Sequence, residues 1–196
     1  MMEHLLKHLF PTINTCNVAS RKHTTEVDFI NELSQSIKDV SFVDCYGDYS
    51  KAVENADIIV TAISAQAPLL KANAINKGCL YIHVGGWEDE YAVAQKASKI
   101  VCDDWEASKH RSQTISRMYK EGLLKDSDIY ANLSEIIQGV KLGRENDEEI
   151  IYFNSVGLSF IDLNFANEIY KQAQKMHLGE KVTLTEFNPT DYSIFL

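Results

Sequence analysis

A doubly wound α/β sheet, mostly parallel, is the fold class this sequence predicts, and three observations carry that prediction. The segments DIIVTAI (57–63) and CLYIHV (79–84) are nearly continuous apolar runs, as strands covered on both faces must be. Strand-like and helix-like segments alternate along the first hundred residues, and right-handed crossovers bring each strand back parallel to the last. The 196 residues are 45% hydrophobic, enough for one core and part of a second.

The elements follow in order. Met2–Leu9 places Leu5, Leu6 and Leu9 on one helical face, and Pro11 breaks it. TINTCNVA (12–19) predicts a strand. TTEVDFINELSQSIK (24–38) predicts a helix behind a Thr cap, since Val27, Ile30, Leu33 and Ile37 recur at helical spacing. VSFVDC (40–45) is a second strand and DYSKAVENA (48–56) a short helix. The two apolar strands come next, separated by a Pro-containing loop, and SKIVCDD (98–104) is a fifth strand. From Trp105 the pattern turns helical over 105–122 and 128–139, passes a polar loop at 142–149, and returns to a strand in EIIYFN (149–154). A long helix over 159–176 ends near Gly179. Phe160, Leu163, Ala166, Ile169, Tyr170, Ala173 and Met176 give it one apolar face and Phe165 adds to another, which implies a second domain or a partner chain, or else an exposed sticky patch.

Charge and composition exclude several classes. The net charge is −9, from 19 Lys plus Arg against 28 Asp plus Glu, and no basic run tracks a nucleic-acid backbone. No apolar stretch reaches membrane-spanning length, and MMEHLLKHLF carries charges through its apolar residues, so the expectation is a cytoplasmic protein without a signal peptide. Cys16, Cys45, Cys79 and Cys102 form no CxxC pair and sit in strand-like segments as small buried hydrophobes. The six histidines show no HxxxH or HxH spacing, and no metal site is predicted.

A doubly wound sheet that binds a dinucleotide, the Rossmann-like form, opens with a strand, a GxGxxG turn and a helix that receives the pyrophosphate. No GxGxxG occurs here, and the first glycine is Gly47, so the expectation is that the first strand and glycine loop would precede Met1. TINTCNVA then stands second, where an acid accepts the ribose hydroxyls of NAD. Ser20, Arg21 and Lys22 occupy that turn instead. A hydroxyl and two cations suit a 2′-phosphate, which points to NADP with NAD as the alternative; a basic surface turn before a capped helix is the other reading.

ENADIIVTAIS, GCLYIHVGG, ASKIVCDDWE and the block GVKLGRENDEEIIYFNSVGLSFIDLNFANEIYKQA together resemble the ornithine cyclodeaminase and μ-crystallin family over nearly the whole chain. The wording CDDWE and GREND looks closest to the amino-carboxyethyl-glutamate dehydrogenase type. The resemblance implies an NAD(P)-dependent oxidoreductase acting at the amino-bearing carbon of an amino acid or its imine, as a homo-oligomer. It implies a dinucleotide-binding domain over 1–157, and over 158–196 a helix and strand of a substrate and dimerisation domain. By the same resemblance Thr61, Tyr81, Ile82, His83, Val84 and Ser155 lie along the nicotinamide side, and Ser20, Arg21 and Lys22 at the adenosine phosphate. The family acid that follows VGG is replaced by Trp87, and Glu88 and Asp89 are the candidate general acid or base, reaching from a loop; solvated acids at a helix start are the other reading. Asp103 and Asp104 are expected to cap the helix at Trp105, His110 and Arg111 to be a surface pair on it, and Arg144 to pair with an acid of 145–148. With the amino-terminal half and its carboxylate clamp missing, impaired activity is expected. The rival readings are a non-catalytic cofactor-domain remnant that binds or assembles and, more weakly, a different nucleotide-using domain such as a methyltransferase.

Overall fold

The computed structural model describes residues 11–180 and Val182, so the expected helix Met2–Leu9 and the terminal strand lie outside the described residues. Contacts divide the chain into two units, 1–157 and 158–196.

In the first unit, β1 (Thr15–Val18) is followed by α1 (His23–Ser36), β2 (Ser41–Asp44), α2 (Tyr49–Val53) and β3 (Ile58–Thr61). Then come β4 (Gln66–Leu70), β5 (Leu80–His83), β6 (Trp87–Asp89), α3 (Tyr91–Lys96) and β7 (Lys99–Cys102). The unit continues through α4 (Trp105–Ser108), α5 (Thr114–Lys120), β8 (Ala131–Asn132), α6 (Leu133–Ile137) and β9 (Ile151–Asn154). Every strand pairing is parallel. The main sheet runs β3-β5-β9-β7-β8, with β1-β2 and β4-β6 as separate two-stranded sheets. The last strand therefore enters between β5 and β7, and its Tyr152 is fully buried beside Tyr81 of β5, the rings edge-to-face at 5.0 Å. Ile59, Ile100, Trp105, Ile115 and Met118 continue the same core.

Several expectations change in detail. Helix α1 starts at His23 behind Lys22 with no side-chain cap, so Thr24 and Thr25 lie inside its first turn. The Pro-containing loop holds β4, whose parallel partner is β6. The stretch 105–122 is two short helices rather than one. Asp104 does cap the first, accepting from Ala107 N at 3.1 Å, while Arg111 falls in the loop between them. The acids of the polar loop pair with Lys99: this nearly buried ammonium meets Glu145 at 2.5 Å and Glu149 at 3.1 Å. Burial would lower its pKa, yet those two carboxylates hold it above the usual value. Arg144 donates to the Glu149 carbonyl.

In the second unit, α7 (Ser159–Lys175) carries Phe160, Leu163, Ile169 and Tyr170, all more than half exposed. Among the described residues no helix is long and apolar enough to cross a membrane.

Cys45, Cys79 and Cys102 are buried, and Cys16 is partly exposed. Burial pushes the Cys79 thiol up to about 11 and that of Cys102 up to about 12, too high for appreciable thiolate at neutral pH. Iodoacetamide at pH 8 should therefore label Cys16 in the native chain and leave the other three until denaturant is added, as peptide mass mapping would read. Native labelling of Cys79 or Cys102 would contradict this packing.

Candidate functional site

Ligands of parallel sheets bind beyond the carboxyl ends of the strands. There, His83 closes β5 and Asn154 closes β9, in register with each other. His83 Nδ1 and Asn154 Oδ1 are 2.8 Å apart. The Asn154 amide donates to Gln113 Oε1 at 2.8 Å, and Gln113 Nε2 donates to the carbonyls of Gly85 (3.0 Å) and Ser155 (2.9 Å). One continuous polar chain thus ties β5, β9 and the start of α5. A cleft of about 230 Å³ opens on it, lined by Val84, Gly85, Arg111, Ser112, Gln113 and Val156. A second hollow, of about 260 Å³, lies along Tyr49, Val53 and Leu69–Lys71, on segments that carry none of the predicted site residues.

Asp103, directly after β7, anchors the other wall instead of capping a helix. Its Oδ2 accepts from Ser155 Oγ at 3.0 Å, Val156 N at 2.8 Å and Gly157 N at 2.9 Å. Its Oδ1 accepts from Asp104 N at 2.8 Å. Gly157 takes φ +84°, which glycine adopts without Cβ strain, so the chain can turn away after these donors.

Beneath the cleft lies a closed carboxylate pair. Glu88 and Asp89 are fully buried on β6, not exposed at a loop or helix start. Glu88 Oε1 accepts from Ile63 N at 2.7 Å, folding back under the Gly85–Gly86 turn. A Cβ on Gly85 would lie 1.7 Å from that oxygen, so a residue with a side chain cannot stand there. Asp89 Oδ1 accepts from Thr114 Oγ1 at 2.5 Å and Tyr152 OH at 3.3 Å. His83 Nε2 faces both acids, 3.5 Å from Asp89 Oδ1 and 3.9 Å from Glu88 Oε2. Burial raises the Asp89 pKa, with His83 and the Thr114 and Tyr152 hydroxyls opposing. Burial and then the Asp89 charge also hold the Tyr81 and Tyr152 phenols far above their ordinary value.

The other predicted residues are placed as follows. Thr61 Oγ1 and Tyr81 OH are hydrogen-bonded at 2.9 Å at the ends of β3 and β5. Ile82 is half-buried in β5, and Val84, 40% exposed, is the residue of that segment that meets solvent. The Ser155 hydroxyl points inward to Asp103. Ser20, Arg21 and Lys22 form the turn after β1, apart from the cleft. Ser20 Oγ donates to Lys22 O at 2.8 Å, and Arg21 and Lys22 are exposed. Trp87 opens β6 with the Arg117 guanidinium 4.6 Å over its ring. Sequence reasoning missed Gln113, Thr114 and Asn154. A polar amide closing the apolar strand EIIYFN was a usable signal, because a buried amide must find partners; an isolated Gln in HRSQT offered none.

A sequence model described as the Ornithine cyclodeaminase/mu-crystallin family matches residues 2–177. The chain is 38% identical over 143 residues to a Delta(1)-pyrroline-2-carboxylate reductase of Bacillus cereus, covering 70% of this chain and 43% of that protein. It is 28% identical over 156 residues to the N-((2S)-2-amino-2-carboxyethyl)-L-glutamate dehydrogenase of Staphylococcus aureus, covering 80% and 46%. An archaeal alanine dehydrogenase, solved as a dimer with bound NAD, superposes with a TM-score of 0.82 at 26% identity, over 94% of this chain and 57% of that one. The chain thus spans less than half the length of these two curated relatives.

Two outcomes follow from this geometry. Asp103→Ala leaves the Val156 and Gly157 amides without their acceptor, and should lower the unfolding free energy by about 3 kcal/mol in urea titrations; a loss below about 1 kcal/mol would deny Asp103 its anchoring role. For Asp89 the folded-state pKa is raised, so its favourable contribution is complete below the unfolded value, about 3.9, and is lost as pH rises through the folded value. Asp89→Asn has no proton to lose. Its stability relative to the native chain should therefore climb as pH goes from about 4 toward neutrality, and a pH-independent difference would refute the raised pKa.

Proposed function

Since the chain belongs to the ornithine cyclodeaminase/mu-crystallin family, we propose that it is the cofactor-binding part of an NAD(P)-dependent oxidoreductase acting at the amino-bearing carbon of an amino acid or its imine. The observation that carries this reading is the cleft at the ends of β5 and β9, where Val84, Gly85 and Val156 offer a surface for a nicotinamide ring. When bound, the nicotinamide supplies or takes the hydride. The chain's own residues shape the floor: Gln113 and Asp103 hold the two walls, buried Glu88 lies under the glycine turn, and His83 ties β5 to β9 as a positioning residue. The pyrroline-carboxylate reductase relative favours a cyclic imine or the matching amino acid as substrate.

The adenosine end rests on Ser20, Arg21 and Lys22. The turn itself carries two exposed cations, and the carboxylate nearest it, Glu26, is buried and turned to the Ser20 and Gly47 amides, so we assign NADP as the preferred cofactor, with NAD as the alternative supported by the NAD-bound alanine dehydrogenase. Helix α7 belongs in this reading to a substrate and dimerisation domain over 158–196, which covers its exposed apolar residues. A second reading, a cofactor-domain relative that binds or assembles without turnover, is favoured by Trp87 in the place of the family acid and by the complete burial of Glu88 and Asp89.

Calorimetric titration of the 196-residue chain with NADPH and NADH tests the cofactor assignment. NADPH should bind more tightly, and Arg21→Ala should weaken it about tenfold, roughly 1.4 kcal/mol, while leaving NADH unchanged. Equal affinities that ignore Arg21 would remove the 2′-phosphate assignment, and binding of neither would favour the second reading.

A further inference from the structure

One cluster of ligating side chains lies outside the cleft. His23 opens helix α1, Glu26 follows one turn later on the same face, and Asp44 closes β2. One ligand atom from each lies within 4.8 Å of the other two. His23 Nε2 is 2.6 Å from Asp44 Oδ2.

Glu26 is the anomaly. It is fully buried in the first turn of a helix whose neighbouring first-turn residues His23, Thr24 and Thr25 are exposed, and its Oε2 has no hydrogen-bond partner. Its other oxygen is fully engaged, accepting from Ser20 N and from Gly47 N. Asp44 repeats the arrangement: Oδ1 accepts from Tyr46 N at 2.8 Å, and Oδ2 turns to His23. The Tyr46 ring stacks on the His23 imidazole at 4.7 Å and fixes its plane. Each carboxylate thus has one oxygen tied to backbone and one presented inward, the outer-shell support that metal ligands receive. Two carboxylates outweigh a single imidazole in charge, and a buried unpartnered carboxylate oxygen is costly unless a cation meets it.

We propose that His23, Glu26 and Asp44 hold a divalent transition-metal ion, Zn²⁺ by its donor set. One imidazole nitrogen and two carboxylate oxygens are ligands that zinc accepts at about 2.0–2.2 Å, with water completing the tetrahedron. Ligand atoms of a zinc tetrahedron lie about 3.4 Å apart, so the His23–Asp44 pair, now at 2.6 Å, opens and the wider separations close by about an ångström as the ion enters. The site stands beside the Ser20–Lys22 turn, separate from the cleft at β5 and β9, and does not depend on the oxidoreductase reading.

The test is calorimetric titration of the metal-stripped 196-residue chain with ZnCl₂, paired with melting curves with and without the metal. Saturable 1:1 binding and a raised Tm are expected. His23→Ala and Asp44→Asn should each weaken binding at least about tenfold and abolish the Tm rise while keeping the native circular dichroism. Glu26→Gln retains an oxygen for the Ser20 and Gly47 amides and should do the same; if it does not fold, the other two variants decide. No saturable binding by the native chain overturns the proposal. So does binding that survives both His23→Ala and Asp44→Asn, which would place the ion elsewhere in the chain.

Discussion

The hydrogen bond between His83 Nδ1 and Asn154 Oδ1 joins the ends of two neighbouring strands whose residues stand 71 apart in sequence. Much of the crevice end depends on it. With one amide face spent on His83, Asn154 turns the other to Gln113, and Gln113 in turn grips the carbonyls that flank the opening on both sides. All three side chains are buried, so each donor and acceptor left unmatched would cost about 1–3 kcal/mol. The bonds from His83 through Asn154 to Gln113 form in one arrangement of β5, β9 and α5 and are lost in others, and that gives a surface opening a defined shape.

Around this chain the protein places acids where an apolar core would be simpler. Asp103 collects the backbone donors after β9, and Glu88 caps Ile63 N beneath a turn that only glycine can form. Asp89 is the exception, since burial disfavours its charge and its partners are hydroxyls and an imidazole. Asp89, His83 and the two tyrosines beside them are all sealed in the core.

The two ends of the first unit have different characters. The cleft end sets Val84, Gly85 and Val156 beside Arg111, Ser112 and Gln113, over a polar floor. The β1–β2 end is made of charge: Arg21 and Lys22 outward, and His23, Glu26 and Asp44 gathered behind them.

Local pattern alone determined the parallel α/β class, because apolar runs and helical spacing are properties of neighbouring residues, and β3, β5, β7, β9 and α7 lie where those patterns put them. Cys45, Cys79 and Cys102 as buried hydrophobes and Asp104 as a cap were legible for the same reason, whereas Cys16 is partly exposed. What only the tertiary structure decided was anything that required a partner far along the chain. The insertion of β9 between β5 and β7, the duty of Asp103 to residues 155–157, and the burial of Glu88 and Asp89 under Gly85 all depend on contacts across 25 residues or more, or on a close backbone approach. His23, Glu26 and Asp44 show it most plainly: a spacing rule for histidines sees one isolated ring, while a helix start and a strand end bring three ligands together.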